Sequence, residues 1–260
     1  MRIPVYQVDA FTSEMFGGNP AAVCPLDAWL PDDLLQAIAL ENNLSETAFY
    51  VPEGDGYRLR WFTPAVEVDL CGHATLATSH VLFSRGFHKS DEIRFETRSG
   101  TLVVTTSDGL ICMDFPETEL GDGQADTADV EAVIGRRPEQ VLTAGFRRMA
   151  VLSSEAEVRA LEPDMRLLKK LGFGLAVTAP GDDCDCASRY FTPARGIDED
   201  PVTGSAHCAI VPYWCDRLGK EDIHARQVSA RGGELFCRLE KGRVVLAGKA
   251  VDFMEGVITI

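Results

Sequence analysis

The sequence predicts an α+β protein made of two similar lobes, and three observations carry that prediction. The first is an internal repeat: Phe62-Thr63-Pro64-Ala65 recurs as Phe191-Thr192-Pro193-Ala194, and each tetrad runs through acidic residues to a glycine, Gly72 or Gly204, that opens a run of small and apolar residues. The second is its period. The tetrads lie 129 residues apart and the glycines 132, so the second copy carries three extra residues; half a chain is far beyond the roughly 20 to 50 residues of a solenoid or propeller repeat. The third is element order, with strand-like runs around one long helix in each half and no regular β-α-β alternation.

In the first half, residues 3–10 read as a strand, and the turn formers Gly17, Gly18, Asn19 and Pro20 lead into a short apolar run at 21–25. Pro31, Asp32 and Asp33 start a helix. Proline suits a first turn, the carboxylates face the positive end of the dipole, and Leu34, Leu35 and Ile38 share one face until Asn42 and Asn43 end it. Glu46 then stands at the mouth of an apolar strand, residues 44–51. Tyr57, Leu59 and Trp61 alternate with Arg58 and Arg60, the period of a strand with one buried side. After the first tetrad and its helix come β-like runs at 93–97, 102–106 and 110–115.

Residues 116–129 hold almost no large apolar side chain and are rich in turn formers and charge, which divides the chain into a lobe of 1–117 and a lobe of 118–260, the last strand being free to pair back into the first. The second lobe reads as a helix at 130–135, strands near 141–145 and 149–152, helices near 155–161 and 165–171, and a strand at 175–179. The second tetrad and a helix at 204–218 follow, then β-like stretches at 224–230, 234–239, 244–250 and 253–260.

Composition narrows the partners. Forty acidic against 25 basic residues leave a net charge of −15, which repels nucleic acid and anionic membrane surfaces. No apolar run approaches the ~20 residues that span a bilayer. The N-terminal stretch has no apolar core of a signal peptide, so the expected location is cytoplasmic and the eight cysteines are expected as thiols. Cys184 and Cys186 sit in an acidic turn without a second pair at zinc spacing, and no metal is expected. Residues 242–249 only superficially resemble a phosphate loop, with five residues between the glycine and the Gly-Lys pair where four are needed.

The chemistry gathers at the repeat. A helix that begins at Gly72-His73 or Gly204-Ser205 offers unpaired N–H groups and a positive dipole end, the means by which an acidic protein can still hold a small anion. Asp69 and Asp198, just ahead of these helices, are expected to cap them. Glu46 differs: at the entry of an apolar strand, desolvation would raise its pKa toward the range of a general acid/base. His73 and His207 lie within three residues of the repeat glycines, which favours a role for His73 in particular.

Five ordered segments, Gly17-Gly18-Asn19-Pro20-Ala21, the stretch from Asn43 to Phe49 around Ser45-Glu46-Thr47, Arg60-Trp61-Phe62-Thr63-Pro64, Cys71-Gly72-His73-Ala74-Thr75 and the stretch from Asp198 to His207, together resemble the PhzF family of phenazine-biosynthesis-type isomerases, from about residue 5 to about residue 255. The resemblance implies the diaminopimelate epimerase-like fold: two pseudo-symmetric lobes, each a curled, mostly antiparallel sheet around a central helix, with a ligand cleft between them. It implies isomerisation of a small carboxylated substrate, similar to trans-2,3-dihydro-3-hydroxyanthranilate, without metal or organic cofactor. Carried over, Glu46 is the proton shuttle, His73, Asp200 and Ser205 flank the substrate, and Asn19, Gly72 and Gly204 bind it. A homodimer is also implied.

Two other readings stand beside this one. A non-catalytic protein that binds small acids or a partner would keep the cleft without the chemistry. An amino-acid epimerase would use Cys71, but the symmetric two-thiol arrangement lacks its second member, because Thr203 precedes Gly204 and Cys208 lies inside the helix. The residues from Arg226 to Gly232 lack the glutamine-glycine pair usual in the family.

Overall fold

The computed structural model describes residues 1–260. The chain forms two compact units, one of Met1–Asp114 with Ala247–Ile260, the other of Phe115–Leu246. The expected division at residue 117 thus falls a few residues earlier, and the end of the chain belongs to the first unit.

The first unit runs β1 (Arg2–Ala10), β2 (Asn19–Pro25), α1 (Asp32–Asn42), β3 (Glu46–Glu53), β4 (Gly56–Phe62), β5 (Glu67–Val68), α2 (Gly72–Ser84), β6 (Glu92–Thr97), β7 (Gly100–Ser107) and β8 (Leu110–Pro116). Strand β2 lies antiparallel to β1 and parallel to β3; β4 is antiparallel to β3 and β5 and parallel to β6; β7 is antiparallel to β6 and β8. Asn19 and Pro20, expected in the turn, already belong to β2, where Asn19 pairs with Ala10. The turn closes one residue earlier at Gly18, with φ +63 and an ideal Cβ only 2.1 Å from the Ala10 carbonyl oxygen, so only glycine fits. Helix α1 follows its expected course. Pro31 stays extended just outside it, and Asn43, at φ 51, ends it in the left-handed conformation.

Helix α2 packs against β1, β2 and β3 and is buried on nearly every side, from His73 through Ser79 and again at Val81 and Leu82. Its polar side chains tolerate this because each hydroxyl donates back one turn: Thr75 to the Cys71 carbonyl at 2.6 Å, Thr78 to Ala74 at 2.7 Å and Ser79 to Thr75 at 2.9 Å.

The second unit runs β9 (Leu120–Asp122), α3 (Thr127–Ile134), β10 (Gln140–Ala144), β11 (Arg147–Val151), α4 (Glu155–Arg159), α5 (Met165–Leu171), β12 (Gly174–Pro180), β13 (Cys186–Thr192), β14 (Ile197–Glu199), α6 (Gly204–Leu218), β15 (Asp222–Gln227), β16 (Gly233–Glu240) and β17 (Arg243–Gly248). Its pairings repeat those of the first unit. Strand β11 is antiparallel to β10 and parallel to β12, β13 is antiparallel to β12 and β14 and parallel to β15, and β15 is antiparallel to β16. The repeat in sequence is therefore a repeat in topology, with β2–β7 matching β11–β16 and α2 matching α6.

Strand β13 has no counterpart in the sequence reading, which saw only the acidic turn at Cys184–Cys186 and then the tetrad. It is buried on both faces except at Arg189, so it lacks the alternation that announces a strand. Helix α6 carries Pro212 inside it, and proline cannot bond the carbonyl of Cys208. The amide of Thr118 donates to that oxygen instead, at 2.9 Å. The last strand, β18 (Ala250–Thr259), runs antiparallel to β1 from Arg2↔Thr259 to Ala10↔Ala250. No helix is long and apolar enough to cross a membrane.

Candidate active site

In the first unit, Glu46 begins β3 beside Ala21 of β2, and His73 is the second residue of α2. Their side chains are 15% and 6% exposed, and Oε2 of Glu46 lies 3.1 Å from Nε2 of His73, close enough for an ion pair although neither atom has a well-aligned hydrogen bond. The other ring nitrogen, Nδ1, lies 3.2 Å from the Asn19 amide and 3.5 Å from Sγ of Cys71. A carboxamide can meet a lone pair or an N–H by turning its NH2 or its oxygen to the ring, so Asn19 suits either form of His73.

The electrostatics separate these groups. Burial pushes His73 toward neutrality, but the charge of the Glu46 carboxylate and the Cys71 sulfur, as a hydrogen-bond partner of the ring, act against it and lift the imidazole well above the usual histidine range. Burial, reinforced by Glu46 and opposed by His73, pushes the Cys71 thiol up to about 11, so at neutral pH the sulfur stays protonated. Glu46, Cys71 and His73 each bring one ligand-type atom within 4.8 Å of the others. The sulfur and the carboxylate, however, approach opposite nitrogens of the ring. That geometry holds the imidazole between two side chains rather than converging all three groups on one cation.

The second unit organises the head of α6. Asp200 accepts from the Thr203 hydroxyl at 2.6 Å, its amide donates to the Tyr190 carbonyl at 3.0 Å, and its own carbonyl accepts from Nε2 of Gln227 at 2.6 Å. Gln227 is buried and also accepts from the Thr203 amide at 2.8 Å. One side chain thus ties the loop to the helix start, a residue the sequence reading passed over because a lone glutamine in a strand carries no signal. Ser205, half-buried, accepts from Nη2 of Arg147 at 2.7 Å, and Nε of Arg147 donates to the Tyr190 hydroxyl at 3.1 Å. Neither Arg147 nor Tyr190 was singled out from sequence.

The capping expectation fails. The residues at the cap positions are Cys71 and Thr203, and neither side chain bonds its helix. Asp69 is largely exposed near Arg98, and Asp198 is exposed on β14. Gly72 and Gly204 therefore start helices whose first amides have no side-chain cap, which leaves donors for a ligand's oxygen. His207 is structural: its Nδ1–H donates to the Thr203 carbonyl at 2.8 Å, Nε2 lies 3.4 Å from the Ser188 hydroxyl, and burial pulls its pKa down to about 4.

Known proteins agree with this architecture. An uncharacterized isomerase of Pseudomonas aeruginosa is 50% identical over the whole of both chains. The crystal structure of a PhzF-family phenazine biosynthesis protein from Enterococcus faecalis covers 100% of both chains at 45% identity, with a TM-score of 0.96. A probable proline racemase from Agrobacterium radiobacter shares the fold at 12% identity, with a TM-score of 0.64 over 99% of this chain and 92% of its own. The profile of the PhzC-PhzF family, phenazine biosynthesis-like protein, matches residues 8–256, and the chain belongs to that family.

Proposed function

We propose that this protein is an isomerase that moves a proton within a small carboxylated substrate, by general acid/base chemistry and without a cofactor. The observation that carries the reading is the Glu46–His73 contact: a largely buried carboxylate set 3.1 Å from an imidazole whose pKa is raised. The isomerase name of the Pseudomonas aeruginosa relative supports the class.

In this reading the Glu46 carboxylate takes a proton from a carbon made acidic by conjugation, and the double bond shifts as the C–H bond breaks. The resulting neutral acid then returns the proton to another carbon of the conjugated system. One C–H bond is lost, one is formed, and no electrons leave. His73 orients the carboxylate, and as an imidazolium it stabilises the negative charge that builds on the substrate, helped by the amides at the head of α2. Asp200 shapes the start of α6 through Thr203, and Ser205 offers a hydroxyl there.

The two-cysteine epimerase is the weaker reading. Cys71 immediately precedes Gly72, and Thr203 holds the matching place before Gly204, so the repeat supplies one thiol where that chemistry needs two. The test is a steady-state assay with cyclic unsaturated amino acids of the dihydro-hydroxyanthranilate type, following the shift of conjugation by absorbance. Glu46→Gln is expected to lower kcat by about 10² to 10⁴. Binding of such acids without turnover by the wild-type protein would favour a non-catalytic role.

A further inference from the structure

The duplicated scaffold allows each position of one unit to be compared with its counterpart in the other. Thr47 pairs with Phe62, the phenylalanine of the first tetrad, and Leu175 pairs with Phe191, the phenylalanine of the second. Glu46, one residue before Thr47, therefore corresponds to Gly174, one residue before Leu175. On the neighbouring parallel strand, Ala21 lies beside Glu46 and Arg147 lies beside Gly174. On the helix side, His73 follows Gly72 as Ser205 follows Gly204.

The first unit thus sets a carboxylate against the residue after its helix glycine. The second sets a guanidinium, Arg147, 2.7 Å from the equivalent residue, Ser205. Gly174 makes this possible. A Cβ at that position would lie 2.2 Å from the Tyr190 hydroxyl, which occupies the space and accepts from Nε of Arg147.

Arg147 also lacks what comparably buried arginines have. Arg60, Arg148 and Arg189 each meet a carboxylate at 2.5 to 2.7 Å. Arg147 meets two neutral hydroxyls and the face of Phe146, 4.2 Å from the ring centroid. The same Phe146 ring also carries Arg195, at 4.9 Å, which likewise has no carboxylate partner. In a chain with 40 acidic residues this pair of cations meets no carboxylate, and the two hydroxyls engage Nε and Nη2 of Arg147, the edge away from Nη1. A planar guanidinium held at one edge by two hydroxyls presents the other edge as a fork for a carboxylate.

We propose that Arg147 is a specificity-determining residue, positioned by Tyr190 and Ser205, that receives an anionic carboxylate of the substrate. That this ligand is a substrate rests on the isomerase reading above; its carboxylate class follows from the second unit alone.

Calorimetric titration tests it with two probes of the same shape, anthranilate and its uncharged analogue 2-aminobenzamide. Wild-type protein is expected to prefer the acid. Arg147→Gln weakens anthranilate binding by about 10- to 100-fold and leaves the amide unchanged, and Arg147→Lys restores only part of the preference. Tyr190→Phe, which frees Nε of Arg147 without removing charge, gives an intermediate loss and covers the case in which Arg147→Gln does not fold. A wild-type protein with no preference for the acid, or an acid-to-amide ratio unmoved in a folded Arg147 variant, overturns the proposal. Preference for the acid with no turnover of any candidate leaves this inference standing and defeats the isomerase reading; turnover insensitive to Arg147 does the reverse.

Discussion

His73 and His207 are both buried near the head of a repeat helix, and their surroundings move them in opposite directions. His73 faces a carboxylate and is raised; His207 faces a carbonyl and a hydroxyl and is drawn down to about 4. The signs follow by linkage. Between pH 6.5 and 4 the unfolded chain protonates position 207 while the folded chain does not, so stability falls as pH falls through that window, by on the order of 3 kcal/mol. The contribution of His73 is complete below pH 6.5 and is lost as pH rises through its folded value. For these two groups stability is therefore greatest near pH 6.5, and urea denaturation of His207→Gln should show a flattened acid limb. Cys71, a neutral thiol, is expected to be dispensable: Cys71→Ala should keep kcat within about threefold, and a loss above 100-fold would restore the epimerase reading. Glu46 was legible in the sequence because a charge interrupts an apolar strand entry. Arg147 was not, because an arginine beside a loop reads as surface until the register of β11 places it next to Gly174.

The element that recurs most faithfully is an ion pair beneath each tetrad. Arg60 grips Glu67 through two bonds of 2.7 and 2.8 Å, and Arg189 grips Glu199 in the same way at 2.7 and 2.8 Å. Each guanidinium also stacks over the tetrad phenylalanine, Phe62 at 5.1 Å and Phe191 at 4.8 Å. The arginines are 129 residues apart and the glutamates 132, so the three extra residues fall in the turn around Pro193–Arg195. Arg189 additionally donates to the Leu161 carbonyl at 2.8 Å. Arg189→Ala should therefore destabilise the fold by about 3 to 5 kcal/mol, since it strands a half-buried carboxylate; urea midpoints measure this, and a cost below about 1 kcal/mol would show the pair to be ornamental. Long helices and alternating strands could be read directly from the residues. The strands β5 and β14 are two and three residues long, too short to show a period, and β13 is buried on both faces, so neither kind announced itself.

Across the molecule, duplication gives two scaffolds of one topology that carry opposite charge on neighbouring strands: Glu46 in the first and, beside its counterpart Gly174, Arg147 in the second. The period of the repeat made the duplication readable from sequence; the return of the chain end to the first unit was not fixed by any local pattern, because long-range pairing leaves no periodic mark. Strand β18 bonds along the whole of β1, so deleting residues 250–260 exposes a long strand edge and should leave the first unit unfolded or aggregated. Retention of native amide dispersion in the truncated chain would contradict this. The account as a whole depends on Glu46 acting as the base that handles the migrating proton. The most direct measurement follows candidate acids in deuterated water by proton NMR, with wild-type protein and with Glu46→Gln. The account predicts deuterium entering the carbon skeleton only with an intact Glu46, and wild-type rates of incorporation by the glutamine variant would contradict it.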